Sequence, residues 1–317
     1  MTEENKNNKV LCHSRQSGIN LHCSSTGEDL DRLTLEISAQ AGDNRDFDNI
    51  INILFLGDMV GRPGRTIVKK YLSEVLGASN APDFVIANVE NASHGFGLTE
   101  KNHNELAAAG IDCFTSGNHI WDRKDIFEYI DKSDRLIRPA NYPEGTKGVG
   151  YRIFEVKGTK IAVVNLLGRT FMNAMDSPWA FMEKIVPKLK EEAPIVIVDF
   201  HAEATAEKIC FAKYCNSLGV SAVLGTHTHV QTSDEKIIND YTAYITDAGF
   251  CGVYDSVIGM AYESSLKRLV TSLPERFDIA ESPVLELNAV KMAFDPVFGG
   301  AKSIERIRFI KDISEAS

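Results

Sequence analysis

The chain has 317 residues, room for one large α/β domain or two ordinary ones and ample for a packed core. Hydrophobic residues make up 44% and charged residues 25%, which excludes collagenous, coiled-coil and wholly disordered classes. With 34 basic against 44 acidic side chains the net charge is −10, which argues against a protein held on nucleic acid by a basic surface.

Residues 1–47 are rich in Asn, Ser, Asp and Glu and carry one short amphipathic stretch, 30–37. So few apolar groups do not offset the cost of ordering a chain, so a disordered extension is expected here, ahead of a domain over 48–317. The polar start MTEENKNNK has no apolar stretch behind it and is not read as a secretory signal. Cys12, His13, His22 and Cys23 are zinc-capable, but their spacing matches no common finger. No apolar run is long enough to span a membrane, and the six cysteines contain no CxxC pair. The expected setting is the reducing cytoplasm.

From residue 51 the pattern changes. The apolar run 51–56 ends in Gly57-Asp58 and predicts a buried strand feeding a loop. Pro63 opens a helix over 64–76, stopped by Gly77. A second strand over 84–89 ends in Glu90-Asn91, and Thr99 caps a helix that Gly110 ends. A third strand over 112–115 leads to Gly117-Asn118-His119, and 122–130 reads as helix. His103, between Asn102 and Asn104, is expected to face solvent. This strand–loop–helix alternation predicts βαβ units in a largely parallel sheet.

The second half adds antiparallel character. Strands over 151–156 and 160–166 flank the turn Lys157-Gly158-Thr159. A helix over 179–190, a strand over 195–200 ending at His201, and a helix over 203–218 follow. A short strand over 222–224 precedes Gly225-Thr226-His227-Thr228-His229. A strand over 243–246 opens the loop 247–255, and 284–294 with 304–310 reads as a closing antiparallel pair.

Strands in this chain keep ending in metal-capable residues: Asp58, Glu90 with Asn91, Asn118 with His119, His201, and His227 with His229. In open α/β sheets the carboxyl ends of strands are where ligands bind. Each residue alone is a weak signal, since an Asp after a strand is commonly a helix cap and a lone His a satisfied core residue. His227-x-His229 is stronger, because alternate residues of an extended segment project the same way. The joint set is rich in oxygen and imidazole and free of thiolate, which suits Mn, Fe or Zn. It exceeds what one catalytic zinc uses, so two ions sharing a carboxylate is the economical reading.

The ordered blocks Gly57-Asp58, Gly117-Asn118-His119, His201 and Gly225-Thr226-His227-Thr228-His229 resemble those of calcineurin-like metallophosphoesterases. In that superfamily the first block is usually GDxH and the second GDxxD; here Met59-Val60-Gly61 follows Asp58, and the second block reads Val89-Glu90-Asn91-Ala92. Those departures are similar to the YmdB-like branch, as are GDMVGRPGR, ENASHGFGLTEK, GNHIWD, RPANYPEG, GRTF, DFHAEATAEK, GTHTHVQT and AYITDAG. The resemblance covers about residues 50–312.

It implies a four-layer α/β/β/α sandwich of two mixed β-sheets with a dinuclear site at one edge. Glu90 would bridge both ions in place of the usual Asp. Asp58 and His229 would hold the first, with Asn91 alongside, and Asn118, His201 and His227 the second. A shared hydroxide would attack phosphorus while His119 protonates the leaving oxygen. The implied substrates are small phosphodiesters, 2′,3′- or 3′,5′-cyclic nucleotides above all. A nucleotide phosphomonoesterase and a regulatory binding protein of RNA metabolism are the alternatives. No stable nucleic-acid complex is expected, and homo-oligomerisation stays open. His94 is either a substrate contact or a solvated loop residue; Arg62, Arg65 and Arg169 are phosphate-binding candidates, but a surface or structural ion pair is the preferred reading of each. Substrate choice is assigned to loops such as 141–148 and 170–178.

The domain boundary gives a direct test. Deletion of residues 1–47 should leave melting temperature and turnover nearly unchanged. A large drop in melting temperature would move the start of the fold upstream.

Overall fold

The computed structural model describes residues 50–314; the extension expected over 1–47, with its Cys and His residues, lies outside them. The first half runs β1 (Ile51–Leu56), β2 (Asp58–Met59), α1 (Gly61–Val75), β3 (Phe84–Asn88), α2 (Glu100–Ala108), β4 (Cys113–Thr115) and α3 (Ile126–Tyr129). Then come β5 (Tyr151–Val156), β6 (Thr159–Leu167), α4 (Pro178–Glu192), β7 (Ile195–His201), α5 (Thr205–Ser217) and β8 (Ala222–Thr226). The chain closes with β9 (Lys236–Ile238), β10 (Thr242–Ile245), β11 (Phe250–Val253), α6 (Tyr262–Thr271), β12 (Val284–Phe294) and β13 (Ala301–Asp312).

Two mixed sheets result. In the first, β1 pairs in parallel with β3 and β3 with β4. One edge of β12 carries β1 and β11 end to end, and its other edge carries β13, all antiparallel. The second sheet has the order β5-β6-β7-β8-β10-β9, parallel at its centre and antiparallel at both edges. Between β5 and β6 the turn is the two residues Lys157 and Gly158, with φ of 49° and 77°. Two positive φ values in succession make the tight hairpin whose twist matches the strands it joins.

Side-chain alternation then builds the layers. Ile51, Ile53 and Phe55 of β1 pack with Ile161 and Val163 of β6 and Ile195 and Ile197 of β7, between the sheets. Leu54 and Leu56, one residue out of step, pack instead on Ile67, Val68 and Leu72 of α1. Val196 and Val198 turn away from the first sheet toward Met182, Val186 and Leu189 of α4 and Phe211 of α5. Strands covered on both faces read as unbroken apolar runs, which is why 53–56 and 195–198 show no alternation. The architecture is the four-layer α/β/β/α sandwich. Among the described residues no helix is long and apolar enough to cross a membrane.

Local departures have identifiable causes. The helix expected over 122–130 shrinks to α3, because Arg123 donates from Nε and Nη2 to the carbonyls of Ser93 and Phe96 and ties the preceding turn to a neighbouring loop. The loop expected over 247–255 contains β11, whose pairing with β12 is long-range. His103 is not solvent-facing: its ring lies 4.8 Å from Phe114 and 5.7 Å from Tyr129, centroid to centroid. Ser133 Oγ at 3.1 Å and Asn104 Oδ1 at 3.0 Å satisfy its nitrogens. Thr99 caps α2 as expected, accepting from Asn102 N at 3.3 Å.

Phe55 is fully buried in the inter-sheet layer. Phe55→Ala should cost about 3–5 kcal/mol, the usual range for emptying an aromatic core site. The shift in urea midpoint measures it, and a loss under about 1 kcal/mol would mean that the two sheets are not packed through this layer.

Candidate active site at the strand tips

Every residue that the sequence set at a strand end reaches the same end of the sandwich. Asp58 follows β1, Glu90 and Asn91 follow β3, Asn118 and His119 follow β4, His201 ends β7, and His227 and His229 follow β8. Two groups of ligand-capable atoms form, each within 4.8 Å: Glu90, His201 and His227 in one, and Asp58, Glu90 and His229 in the other. Glu90 is common to both.

Hydrogen bonds fix which ring nitrogens face inward. Thr226 Oγ1 donates to Asp199 Oδ1 at 2.7 Å, so it accepts from His201 Nδ1 at 2.9 Å and leaves His201 Nε2 as a bare acceptor. His229 Nδ1 donates to the Ile258 carbonyl at 2.9 Å. His227 Nε2 lies 3.2 Å from the Glu203 carboxylate, which favours the ring proton on that nitrogen. Outer partners of this kind orient imidazoles toward a metal.

With the imidazoles neutral, as a bound cation requires, the atoms left facing one another are acceptors. His201 Nε2 lies 3.0 Å from Glu90 Oε1, 3.0 Å from His227 Nδ1 and 3.2 Å from Asn118 Oδ1. Asp58 Oδ2 accepts from His227 N at 3.1 Å, while Asp58 Oδ1 is buried with no hydrogen-bond partner and sits 3.9 Å from His229 Nε2. Converging lone pairs and an orphaned carboxylate oxygen fit divalent cations in chemistry and in number of ligands. Asn91 stands between the groups, donating from Nδ2 to Glu90 Oε1 and His229 Nε2, each at 3.2 Å.

Electrostatics agree. Burial raises the Asp58 carboxyl to about 7, with His229 and His201 only partly offsetting it. Burial would raise Glu90 too, but His201 beside it holds it well below the usual carboxylate range. Burial works against charge on His201, yet Glu90 and Asp58 lift it to about 9. Burial and the neighbouring His201 push His227 down to about 3. The pocket calls for positive charge, which a proton on His201 or a cation can supply.

Backbone geometry differs from expectation at one point. His227 and His229 have φ of 99° and 66°, so the segment is not extended and left-handed turns aim both rings. The strained turn is held from behind. Asp247 accepts from Thr228 N at 3.0 Å, Thr228 Oγ1 at 2.7 Å and the buried Lys208 Nζ at 2.8 Å. Strain of about 1–3 kcal/mol per residue persists only where surroundings over-determine it.

His119 lies outside both ligand groups and lines the cleft that opens onto them. Its Nδ1 is 2.9 Å from Asp122 Oδ2, a partner that sequence reading missed although it sits three residues along. Asp199, Asp247, Lys208 and Glu203 were missed as well. Only Asp199 left a trace, a lone carboxylate in the apolar run 195–200. His94 is exposed and lines a different groove with Arg62 and Arg65, and Arg65 donates to the Ala92 carbonyl. Arg169 lines a shallow depression beside Trp179 and Glu207. Neither 141–148 nor 170–178 lines the cleft at the strand tips; the long connection between β11 and β12 does.

A model of the YmdB-like protein family matches residues 54–307. A 2′,3′-cyclic-nucleotide 2′-phosphodiesterase of Bacillus subtilis is 46% identical over 257 residues, 81% of this chain and 96% of that one. A hypothetical protein from Thermus thermophilus superposes with a TM-score of 0.77 at 36% identity, covering 82% of this chain and all of its own. A crystal structure described as a novel phosphatase from Mycoplasma pneumoniae gives 0.77 at 35% identity, covering 83% and 95%.

Gly117 tests the geometry without removing a ligand. A Cβ there would lie 2.2 Å from Glu90 Oε2 and 2.4 Å from His201 Nε2. Gly117→Ala should keep its far-UV circular dichroism and lose divalent-cation content measured by elemental analysis. Full cation content in that variant would show that Glu90 and His201 do not hold one.

Proposed function

We propose that this chain, which belongs to the YmdB-like family of calcineurin-like metallophosphoesterases, is a cytoplasmic, cation-dependent phosphodiesterase whose substrates are small phosphodiesters, cyclic nucleotides of the 2′,3′ or 3′,5′ type foremost. The observation that carries this reading is the convergence of His201 Nε2, Glu90 Oε1, His227 Nδ1 and Asn118 Oδ1 with no donor between them. Asp58 and His229 would hold one ion and Asn118, His201 and His227 the other, with Glu90 common to both groups. Manganese or iron suits this oxygen and imidazole set best, with zinc third. When bound, a pair of such ions acidifies water and neutralises charge on the phosphoryl oxygens.

The chain's own residues supply the rest. His119 keeps Nδ1 on Asp122, which leaves Nε2 to carry a proton to the departing oxygen. Asp122 acts by orienting the ring. Phe96 packs 4.8 Å from the His119 ring in an edge contact and helps to hold it in place. Asn91 braces Glu90 against His229, and the Glu203, Thr226 and Ile258 contacts keep each imidazole in its productive tautomer.

Two variants separate these roles. Glu90→Ala should lose cation content and activity together. His119→Ala should retain its ions while turnover on a cyclic nucleotide falls about 10²–10⁴-fold, and the defect should shrink on a p-nitrophenyl ester, whose leaving group needs no proton. Activity of a chelator-treated, ion-free preparation equal to that of the loaded protein would overturn the reading.

A further inference from the structure

The site accounts for only one wall of the cleft above it. This cleft, of about 310 Å³, is lined on one side by Glu90, His119, His227 and His229, and on the other by Phe96, Met260, Ser265, Arg268, Leu269 and Phe277. Most of the second set belongs to the connection over residues 254–283, which carries α6 and supplies none of the ligand-capable side chains. Ser265, Arg268 and Leu269 stand at positions i, i+3 and i+4, so α6 turns one face to the cleft.

That face has two properties that packing alone leaves unexplained. Ser265 is the buried residue of α6, 2% exposed, and its hydroxyl has no hydrogen-bond partner among the described residues. A buried hydroxyl without a partner costs stability unless something else meets it. The second property is a ready-made stacking surface. The Arg268 guanidinium lies 4.5 Å from the centroid of the Phe277 ring, and Phe277 and Phe96 both pack against the small apolar cluster of Val60, Phe250 and Met260, set apart from the main core.

We infer that this wall is a nucleobase subsite: the base of a cyclic nucleotide lies against Phe277, Phe96 and the Arg268 plane, with Ser265 Oγ bonding a polar atom on the base edge. The inference rests on the phosphodiesterase reading of the neighbouring wall and deepens it. A planar ring with a π-face and a polar rim matches aromatic and guanidinium surfaces beside a single unmet hydroxyl. An acyl chain would leave Ser265 unpartnered, and a bare phosphodiester would leave the apolar wall wet. A volume near the lower end for small-molecule pockets suits a mononucleotide. Phe96 touches the edge of His119, so the stacked base and the proton donor share one wall residue.

The test compares adenosine 2′,3′-cyclic phosphate with methyl riboside 2′,3′-cyclic phosphate, which lacks the base, on the full-length protein supplied with Mn²⁺. Adenosine binding by calorimetry is measured in parallel, because it needs no phosphate chemistry. The native chain should prefer the nucleotide by about tenfold or more in kcat/KM, mostly through KM, as expected for one stacked base. Ser265→Ala and Phe277→Ala should each remove most of that preference and weaken adenosine binding. Ser265→Ala takes away one hydroxyl and no packing, so it guards against a folding defect in the other variant. Equal efficiency on both substrates in the native chain, or a preference that survives both substitutions, would overturn the subsite while leaving the hydrolase reading standing. Hydrolysis of neither substrate, nor of adenosine 3′,5′-cyclic phosphate run beside them, would sink the cyclic-nucleotide hydrolase reading; adenosine binding that still depends on Ser265 and Phe277 would then uphold the subsite by itself.

Discussion

Four carboxylates, Asp58, Glu90, Asp199 and Asp247, are fully buried or nearly so at one end of the sandwich, and the rest of the structure is arranged to satisfy them. Asp199 belongs to the second sheet, yet its donors include Asn88 Nδ2 at 2.9 Å and Thr115 Oγ1, both from the first. Asp58 belongs to the first sheet and accepts from His227 N, beyond a strand of the second. Apolar packing between the sheets is non-directional and leaves their relative sliding weakly determined. These polar bonds are directional, so they set the register in which the two sheets meet.

That division explains what the sequence made legible. The apolar runs and the polar residues closing them are local signals, and they located Asp58, Glu90, Asn91, Asn118, His119, His201, His227 and His229 correctly at strand ends. β2 and β11 were invisible because each is a few residues long and exists only through pairing with a partner far away in sequence. α6 did leave a signal, Leu266, Leu269 and Val270 at helical spacing, although the structure leaves these side chains exposed. His103 misled because its neighbours are both Asn, whereas its burial depends on where the α2 face lands against Phe114. The bracing residues Glu203, Lys208, Asp247 and Asp122 have no signature in one dimension: a charged residue on a helix or loop looks the same whether solvated or aimed at a histidine.

The site also divides between parts of different rigidity. The acceptor cluster stands on strand ends and on turns fixed by several buried hydrogen bonds each. The opposite wall hangs on one long connection, tied by the pairing of Met260 with Ile279 and by the bond from Ala261 N to the Asp278 carbonyl at 2.8 Å. Fixed geometry suits reacting groups, for which small misplacement is expensive in rate. A looser wall suits recognition, which tolerates adjustment.

A buried cluster of like charges has a further consequence for the lifetime of the chain. Bringing Asp58, Glu90, Asp199 and Asp247 together concentrates negative charge in a region of low dielectric, with Lys208 as its one buried ammonium among the described residues. Anything cationic that binds the folded form and ignores the unfolded one deepens the native state by mass action. Because the cluster joins both sheets, such binding would act as a reversible cross-link between the halves of the molecule. Divalent cations that bind there would then set how often the sheets part long enough for a protease to enter.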